Sequence, residues 1–327
     1  MTQSWFRLPA LIAAAAGSAG ASYSHLPAMA PAEIWTPLPV QHVTVQGVDV
    51  AYVDSGGDGP PVVLVHGLSS YLSFWEHQIP AFAKDHRVIA LDLPGYGQSA
   101  RIDPGQDAWT TPAYTPPWYA AIVADLMQAV GAPQAVVVGH SMGGQIAMTL
   151  ALDHPERVRA LVLSGAAGFE TFGAGEAAWM KGYWTPDRAL RTSEIESRAA
   201  FTQLVFNRTD DGVERLLQER VRLGKDPSFA GTSVAVARSI AGMVDWPVAG
   251  RLSQISVPTL IVYGTDDRMI PNPVFTGGRT AAIAKKGHDA IAGSELVMIP
   301  GAGHTVHHDA PDAFNDAVTA FLAGLPR

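Results

Sequence analysis

Gly139-His140-Ser141-Met142-Gly143 is the stretch of sequence that decides the fold. It follows a short β-branched run, residues 135–138, and precedes a run, residues 144–152, in which apolar residues recur at helical spacing. A Ser on a sharp strand-to-helix turn presents its hydroxyl to solvent, and glycines two residues before and after it leave room for the strained backbone. The helix that begins there directs its unpaired N–H groups and the positive end of its dipole at the Ser. The pattern therefore predicts a nucleophile at Ser141, beside a helix start that would stabilise a negatively charged intermediate.

Short apolar runs recur along the chain and predict strands that are buried on both faces. These runs are residues 61–65, 87–91, 135–138, 159–163, 258–262 and 296–299. Amphipathic segments of helix length separate several of them, and an alternating stretch at 41–53, centred on Gly47, predicts an entry hairpin. Strands that alternate with helices predict an α/β fold with a mostly parallel, doubly wound sheet.

The alternation breaks once, between Ser164 and Ser253. Roughly 85 residues between two strands are too many for a loop in a compact domain. The stretch is polar, helical in pattern and rich in aromatic residues, so residues 166–252 are predicted to form a helical cap or lid. The core of the α/β fold is then expected over 41–165 and 253–327, after a linker at 22–40.

Composition excludes several classes of function. The 327 residues carry a formal net charge of −8 and no long basic run, which makes nucleic acid an unlikely partner. The absence of Cys excludes thiol catalysis, disulfides and cysteine-ligated metals. Residues 1–21 are predicted to be a signal peptide, which predicts export to the periplasm or medium. Its apolar run, Leu8 to Ala21, is too short for a standard membrane span. If Met29 is the true start instead, the protein is expected to be cytoplasmic.

A Ser hydroxyl is a poor nucleophile at neutral pH, so Ser141 requires a nearby base and an acid that orients the base. Asp266 and Asp267 follow one predicted strand, and His304 follows the next. The carboxyl ends of parallel strands form the edge at which open α/β sheets bind ligands. Because the three residue types occur in the order Ser, Asp, His at three strand ends, the sequence predicts a catalytic triad.

A predicted oxyanion hole completes the site. Acyl transfer requires two N–H donors that point at the developing negative charge. Met142, the residue after the nucleophile, offers one backbone N–H. Leu68, which follows the strand run 61–65 and the His66-Gly67 pair, is predicted to offer the other.

These motifs resemble those of the α/β-hydrolase fold family, in its serine-nucleophile branch of esterases, lipases and carbon–carbon bond hydrolases. The resemblance covers about residues 40–165 and 253–325. The matching pieces are His66-Gly67, Asp92-Leu93-Pro94-Gly95-Tyr96-Gly97-Gln98-Ser99, residues 139–144, Pro155-Glu156-Arg157-Val158, residues 264–267 and Gly303-His304.

The resemblance implies a sheet of eight strands and a triad acid that lies three residues past a Gly after the seventh strand, which favours Asp267 over Asp266. It implies that the protein cleaves a small or medium apolar carboxylic ester through an acyl-enzyme, without a cofactor. Neither His residues nor carboxylates recur at metal-ligand spacing on a convincing helix, so the sequence predicts no metal site. The oligomeric state is left open.

Two alternatives stay open at this point. The Ser-Met-Gly-Gly run at 141–144 also resembles hydrolases that cleave a carbon–carbon bond in ring-fission dienones, although Thr305 stands where those enzymes usually carry Trp. A non-enzymatic ligand receptor on the same fold could retain the triad. Epoxide hydrolases and haloalkane dehalogenases use an Asp nucleophile, which Ser141 excludes.

Overall fold

A computed structural model describes residues 22–101 and 112–326, so the predicted signal peptide lies outside the described residues. Its centre is one eight-stranded sheet with the strand order β1-β2-β4-β3-β5-β6-β7-β8. The strands are β1 Gln41–Val45, β2 Val48–Asp54, β3 Pro61–Val65, β4 Arg87–Leu91, β5 Ala135–His140, β6 Val158–Ser164, β7 Thr259–Gly264 and β8 Glu295–Ile299. The pairs β1–β2 and β2–β4 are antiparallel, and the other pairs are parallel. The eight-stranded, mostly parallel α/β architecture is thereby confirmed.

Helices cover both faces of this sheet. They are α1 Gln78–Phe82, α2 Pro116–Ala129, α3 Met142–Asp153, α4 Ala174–Tyr183, α5 Pro186–Leu190, α6 Glu194–Ala200, α7 Asp211–Leu223, α8 Phe229–Asp245, α9 Thr280–Ala290, α10 Val306–Asp309 and α11 Pro311–Gly324. Apolar residues of α2, α3 and α9 pack on one face, and those of α1 and α11 pack on the other. The sheet is therefore doubly wound.

Each continuous apolar run forms a strand whose side chains pack into two apolar cores, one on each face of the sheet. Successive side chains of a strand point to opposite faces. In β3, Val63 and Val65 join one core while Val62 and Leu64 join the other. A strand buried on both faces has no position for a polar side chain, which is why the sequence shows no alternation there.

Helices α4 to α8 lie in the segment between β6 and β7, residues 166–252, which is called the inserted segment below. A third apolar cluster joins α7 of this segment to the aromatic side chains of Tyr71 and Phe74 in the core domain. Tyr23, Met29 and Ile34 are buried in the same cluster. Residues 22–40, expected to be a linker, thus pack against α7, because this amphipathic helix presents apolar side chains that the segment covers.

Within the described ranges, no helix combines the length and the apolar character needed to cross a membrane.

Candidate active site

Ser141 occupies a strained turn between β5 and α3. Its backbone has φ 53° and ψ −118°, in a region that L-residues rarely adopt. Neither of the two flanking glycines could carry a side chain, because other atoms already fill the space. A Cβ on Gly139 would lie 2.3 Å from the carbonyl oxygen of Gly143, and a Cβ on Gly143 would lie 2.2 Å from that of Val65. The glycines are therefore required by the close approach of the turn to its own helix and to β3.

His304 and Asp267 form a buried pair at the carboxyl ends of β8 and β7. The Nδ1 atom of His304 donates a hydrogen bond of 2.9 Å to Oδ2 of Asp267. The other oxygen, Oδ1, accepts hydrogen bonds from the backbone N–H groups of Met269 and Ile270, at 2.8 and 2.9 Å. Asp266 is exposed, and its Oδ1 accepts a hydrogen bond from the hydroxyl of Thr265. The structure therefore brings Asp267 to His304 and leaves Asp266 outside the site.

His140, directly before the nucleophile, connects the turn to the His304 loop. Its Nε2 donates a hydrogen bond of 3.2 Å to the carbonyl oxygen of His304, and the two rings lie 4.9 Å apart. Ser141 is partly exposed, and its hydroxyl makes no hydrogen bond to another described residue. Hydrogen bonds of catalytic groups are often long without substrate and tighten when it binds. The described geometry thus places the His304 loop against the turn that carries Ser141, without a hydrogen bond between the two side chains.

The two predicted oxyanion donors form no hydrogen bond with a protein acceptor among the described residues. In the described part of the chain, neither the N–H of Leu68 nor that of Met142 donates a hydrogen bond to a protein group. Gly67 holds the Leu68 turn close to the nucleophile, because a Cβ on Gly67 would lie 3.1 Å from Cβ of Ser141. Two free N–H groups near one Ser hydroxyl can stabilise an oxyanion.

His66 and Asp92 are buried and build the loops behind this turn. Nδ1 of His66 donates to the carbonyl of Gly67 at 2.7 Å, and Nε2 accepts from the N–H of Leu93 at 2.9 Å, so the ring is neutral. Burial lowers the pKa of His66 to about 4. Burial raises the pKa of Asp92 to about 6, and its carboxylate accepts backbone N–H groups of Leu72 and Gln98, each at 2.7 Å. Both side chains thus bind backbone groups of the loops that follow β3 and β4.

A family model described as alpha/beta hydrolase fold matches residues 60–311. The chain belongs to the α/β-hydrolase fold family. The 2-hydroxymuconate semialdehyde hydrolase of a Pseudomonas species is 31% identical over 295 residues, which cover 86% of this chain and 93% of that protein. A solved structure of a probable hydrolytic enzyme from Pseudomonas aeruginosa has a TM-score of 0.80 and 25% identity, and covers 92% of this chain and 99% of that one. An esterase structure from Thermogutta terrifontis, with a TM-score of 0.70 and 24% identity over 87% of this chain and 99% of that one, shares the fold.

One functional contact of this α/β-hydrolase was not predicted from its sequence. The carboxylate of Asp309 accepts hydrogen bonds from the N–H groups of Gly303, at 2.7 Å, and of Asn207 and Arg208, each at 3.0 Å. Gly303 precedes His304, whereas Asn207 and Arg208 belong to the inserted segment. A single carboxylate thus fixes the His304 loop and ties it to that segment. No local sequence signal could reveal the contacts with Asn207 and Arg208, because these residues lie about a hundred positions from Asp309 in the chain.

A cavity of about 30 Å³ is lined by Ser69, the residue after the predicted oxyanion donor Leu68. Arg101 and Arg220 both line it. Arg101 donates to the carbonyls of Gly97 and Ser99, whereas Arg220 makes no ion pair with any carboxylate among the described residues. Arg220 lies over the ring of Phe229 at 4.5 Å, and burial lowers its pKa to about 10, so it stays charged at neutral pH. Among the described residues, the Arg220 guanidinium therefore lacks a carboxylate partner and shares this cavity with Ser69.

Proposed function

We propose that the protein is a serine hydrolase that cleaves a small or medium apolar carboxylic ester through an acyl-enzyme intermediate. His304 accepts the proton of Ser141 as the hydroxyl oxygen attacks the carbonyl carbon, and Asp267 stabilises the imidazolium. The N–H groups of Leu68 and Met142 bind the oxyanion. His304 then protonates the leaving alcohol and activates the water that hydrolyses the acyl-enzyme.

The observation that carries this proposal is the hydrogen bond between Asp267 and His304 beside the strained Ser141 turn. The bond fixes the tautomer of His304, because Nδ1 carries the proton and Nε2 is left free to accept one. Only a base in this tautomer can activate a Ser hydroxyl. The two N–H groups without acceptors supply the other requirement of acyl transfer.

The test combines covalent labelling with a substitution. We expect a fluorophosphonate probe to add one label per chain, on a peptide that contains Ser141, and to abolish hydrolysis of p-nitrophenyl butyrate. Ser141→Ala should prevent labelling and reduce turnover to the level of the buffer, while its circular dichroism spectrum stays that of the wild type. Wild-type turnover in this variant would disprove the proposed nucleophile.

The cavity next to the oxyanion turn favours a second candidate, the hydrolysis of a carbon–carbon bond in an anionic ring-fission dienone. Arg220 could pair with a substrate carboxylate there, and the relative that is 31% identical is named as a 2-hydroxymuconate semialdehyde hydrolase. The buried Thr305 after His304 is one feature that favours the ester.

Paired substrates separate the two candidates. A neutral p-nitrophenyl ester and an anionic dienone are compared in the wild type and in Arg220→Met. If the dienone is the substrate, the wild type should prefer it, and the variant should raise its KM at least tenfold while leaving KM for the neutral ester within twofold. No turnover of the dienone by the wild type would eliminate this candidate.

We also propose that residues 1–21 are removed when the protein is exported. Cleavage after Ala21 would create an α-amino group on Ser22, whose hydroxyl already donates to Glu194 at 3.3 Å. Mass spectrometry of the mature chain should find Ser22 at the N-terminus, and a chain beginning at Met1 or Met29 would contradict the proposal.

A further inference from the structure

We propose that Glu76, His77 and His308 form a binding site for a divalent transition-metal ion such as Zn²⁺. Each residue offers one ligand atom, and these atoms lie within 4.8 Å of one another. Oε1 of Glu76 lies 3.1 Å from Nε2 of His308, and the rings of His77 and His308 lie 4.8 Å apart. The sequence did not predict this site, because His308 follows Glu76 by more than two hundred residues.

The donor set is the one that this class of metal prefers. Two imidazoles and one carboxylate are typical protein ligands of Zn²⁺, with bonds of about 2.0–2.2 Å. Ligand atoms in such a tetrahedral site lie roughly 3.4 Å apart. The Glu76–His308 distance of 3.1 Å is close to this value, and the ligand atom of the half-buried His77 lies within 4.8 Å of the other two.

Gly212 leaves the space that the ion requires. A Cβ on this residue would lie 2.8 Å from Oε1 of Glu76 and 3.3 Å from both Cε1 of His308 and Oδ1 of Asp210. Three groups therefore converge on a position where α7 carries no side chain. Asp210, which begins α7 by accepting the N–H of Val213, adds a second carboxylate close to the three ligands.

The competing interaction is an ion pair that needs no metal. Arg215 donates to Oε2 of Glu76 at 2.8 Å and thereby neutralises that side of the carboxylate. The oxygen that faces His308 is the other one, Oε1, so both contacts can exist together. The metal proposal and the ion pair differ in what they require of His77 and Gly212, which take no part in the ion pair.

The position of the site gives it a structural consequence. Glu76 and His77 precede α1, His308 lies in α10 four residues after His304, and Asp210 begins α7 of the inserted segment. One ion held by the three ligands would therefore join two separate parts of the chain, beside the start of α7. We expect the bound ion to raise the thermal midpoint of unfolding, since a ligand of the native state stabilises it by mass action.

The experiment measures metal binding directly. The full-length protein is stripped with EDTA, dialysed, and titrated with Zn²⁺ by calorimetry and with Co²⁺ by visible absorption. We expect one ion per chain, the intense visible bands of tetrahedral Co²⁺, and a rise in the midpoint of unfolding that EDTA reverses.

Two pairs of variants then locate the ion. His77→Ala should weaken Zn²⁺ binding at least tenfold, whereas His86→Ala, at a partly buried His outside the site, should leave it unchanged. Gly212→Ala should weaken binding to a similar extent by displacing Glu76, whereas Gly224→Ala at the end of the same helix should not. The midpoint of unfolding of each variant, measured without metal, separates lost binding from a failure to fold.

Three results would overturn the proposal. They are a wild type that binds no ion at micromolar Zn²⁺, Co²⁺ bands of octahedral intensity only, and binding that neither His77→Ala nor Gly212→Ala weakens.

Discussion

Asp267→Asn is the substitution whose effect the structure specifies most closely. In the wild type, Oδ1 of Asp267 accepts two backbone N–H groups and Oδ2 accepts Nδ1–H of His304. An Asn at this position has one oxygen, and the two backbone donors of Met269 and Ile270 require that oxygen to take the place of Oδ1. The NH₂ group must then face Nδ1 of His304.

This orientation forces the wrong tautomer on the base. Facing a donor, Nδ1 of His304 becomes the acceptor, so the proton moves to Nε2, which can then no longer accept the proton of Ser141. Loss of the correct tautomer in a Ser-His-Asp triad costs about 10⁴-fold in kcat, or roughly 5.5 kcal/mol of transition-state stabilisation. The backbone contacts of Asp267 survive the change, so we expect the midpoint of unfolding to shift by only a few degrees.

The assay is steady-state hydrolysis of p-nitrophenyl butyrate by Asp267→Asn and by its neighbour variant Asp266→Asn. Asp266 is exposed, and among the described residues its side chain and carbonyl form hydrogen bonds only with Thr265 and Asn207. We therefore expect its variant to keep kcat within twofold. Equal losses in the two variants, or near wild-type kcat in Asp267→Asn with intact folding, would refute the tautomer argument.

Two further predictions concern stability. Gly143→Ala would place a Cβ 2.2 Å from the carbonyl oxygen of Val65. We therefore expect it to lower the free energy of unfolding by about 2 kcal/mol or more and to abolish activity. Wild-type stability in urea unfolding would contradict this prediction. Burial lowers the pKa of His66 to about 4, so between pH 7 and pH 5 only the unfolded chain gains a proton there, which costs the fold about 2 kcal/mol on acidification. Burial also lowers the pKa values of His140 and His307, so these residues likewise destabilise the fold in acid. Burial raises the pKa of Asp92 to about 6, so the folded chain gains a proton there, which offsets about 1 kcal/mol of this loss of stability. Urea unfolding should therefore give a smaller free energy of unfolding at pH 5 than at pH 7. A larger value at pH 5 would contradict the prediction.

Local pattern was enough to predict the fold and the positions of the candidate triad. A buried parallel strand reveals itself by a continuous apolar run, and the residues that follow it must lie at the carboxyl edge of the sheet. Ser141, Asp267 and His304 each follow such a strand within a few residues. Their proximity is therefore a consequence of strand order and does not depend on details of packing.

Pattern was not enough where contacts depend on how helices pack. The position of residues 22–40 against α7 follows from apolar side chains whose partners lie far along the chain. The clamp formed by Asp309 on Gly303 and Asn207 has the same character. Helical periodicity indicates that one face of a helix is buried, but it does not indicate which surface of the protein covers that face.

The sequence by itself determined the α/β sheet, the strained Ser141 turn and the order of the three catalytic candidates, because each is encoded within a few neighbouring residues. Only the tertiary structure showed that Asp267 lies against His304 while Asp266 is exposed. It also showed that Arg220 lines a cavity beside Ser69 with no carboxylate partner among the described residues, and that Glu76, His77 and His308 converge beside Gly212. These contacts join elements from different parts of the chain, and their geometry is set by side-chain packing between layers, which a linear pattern does not contain.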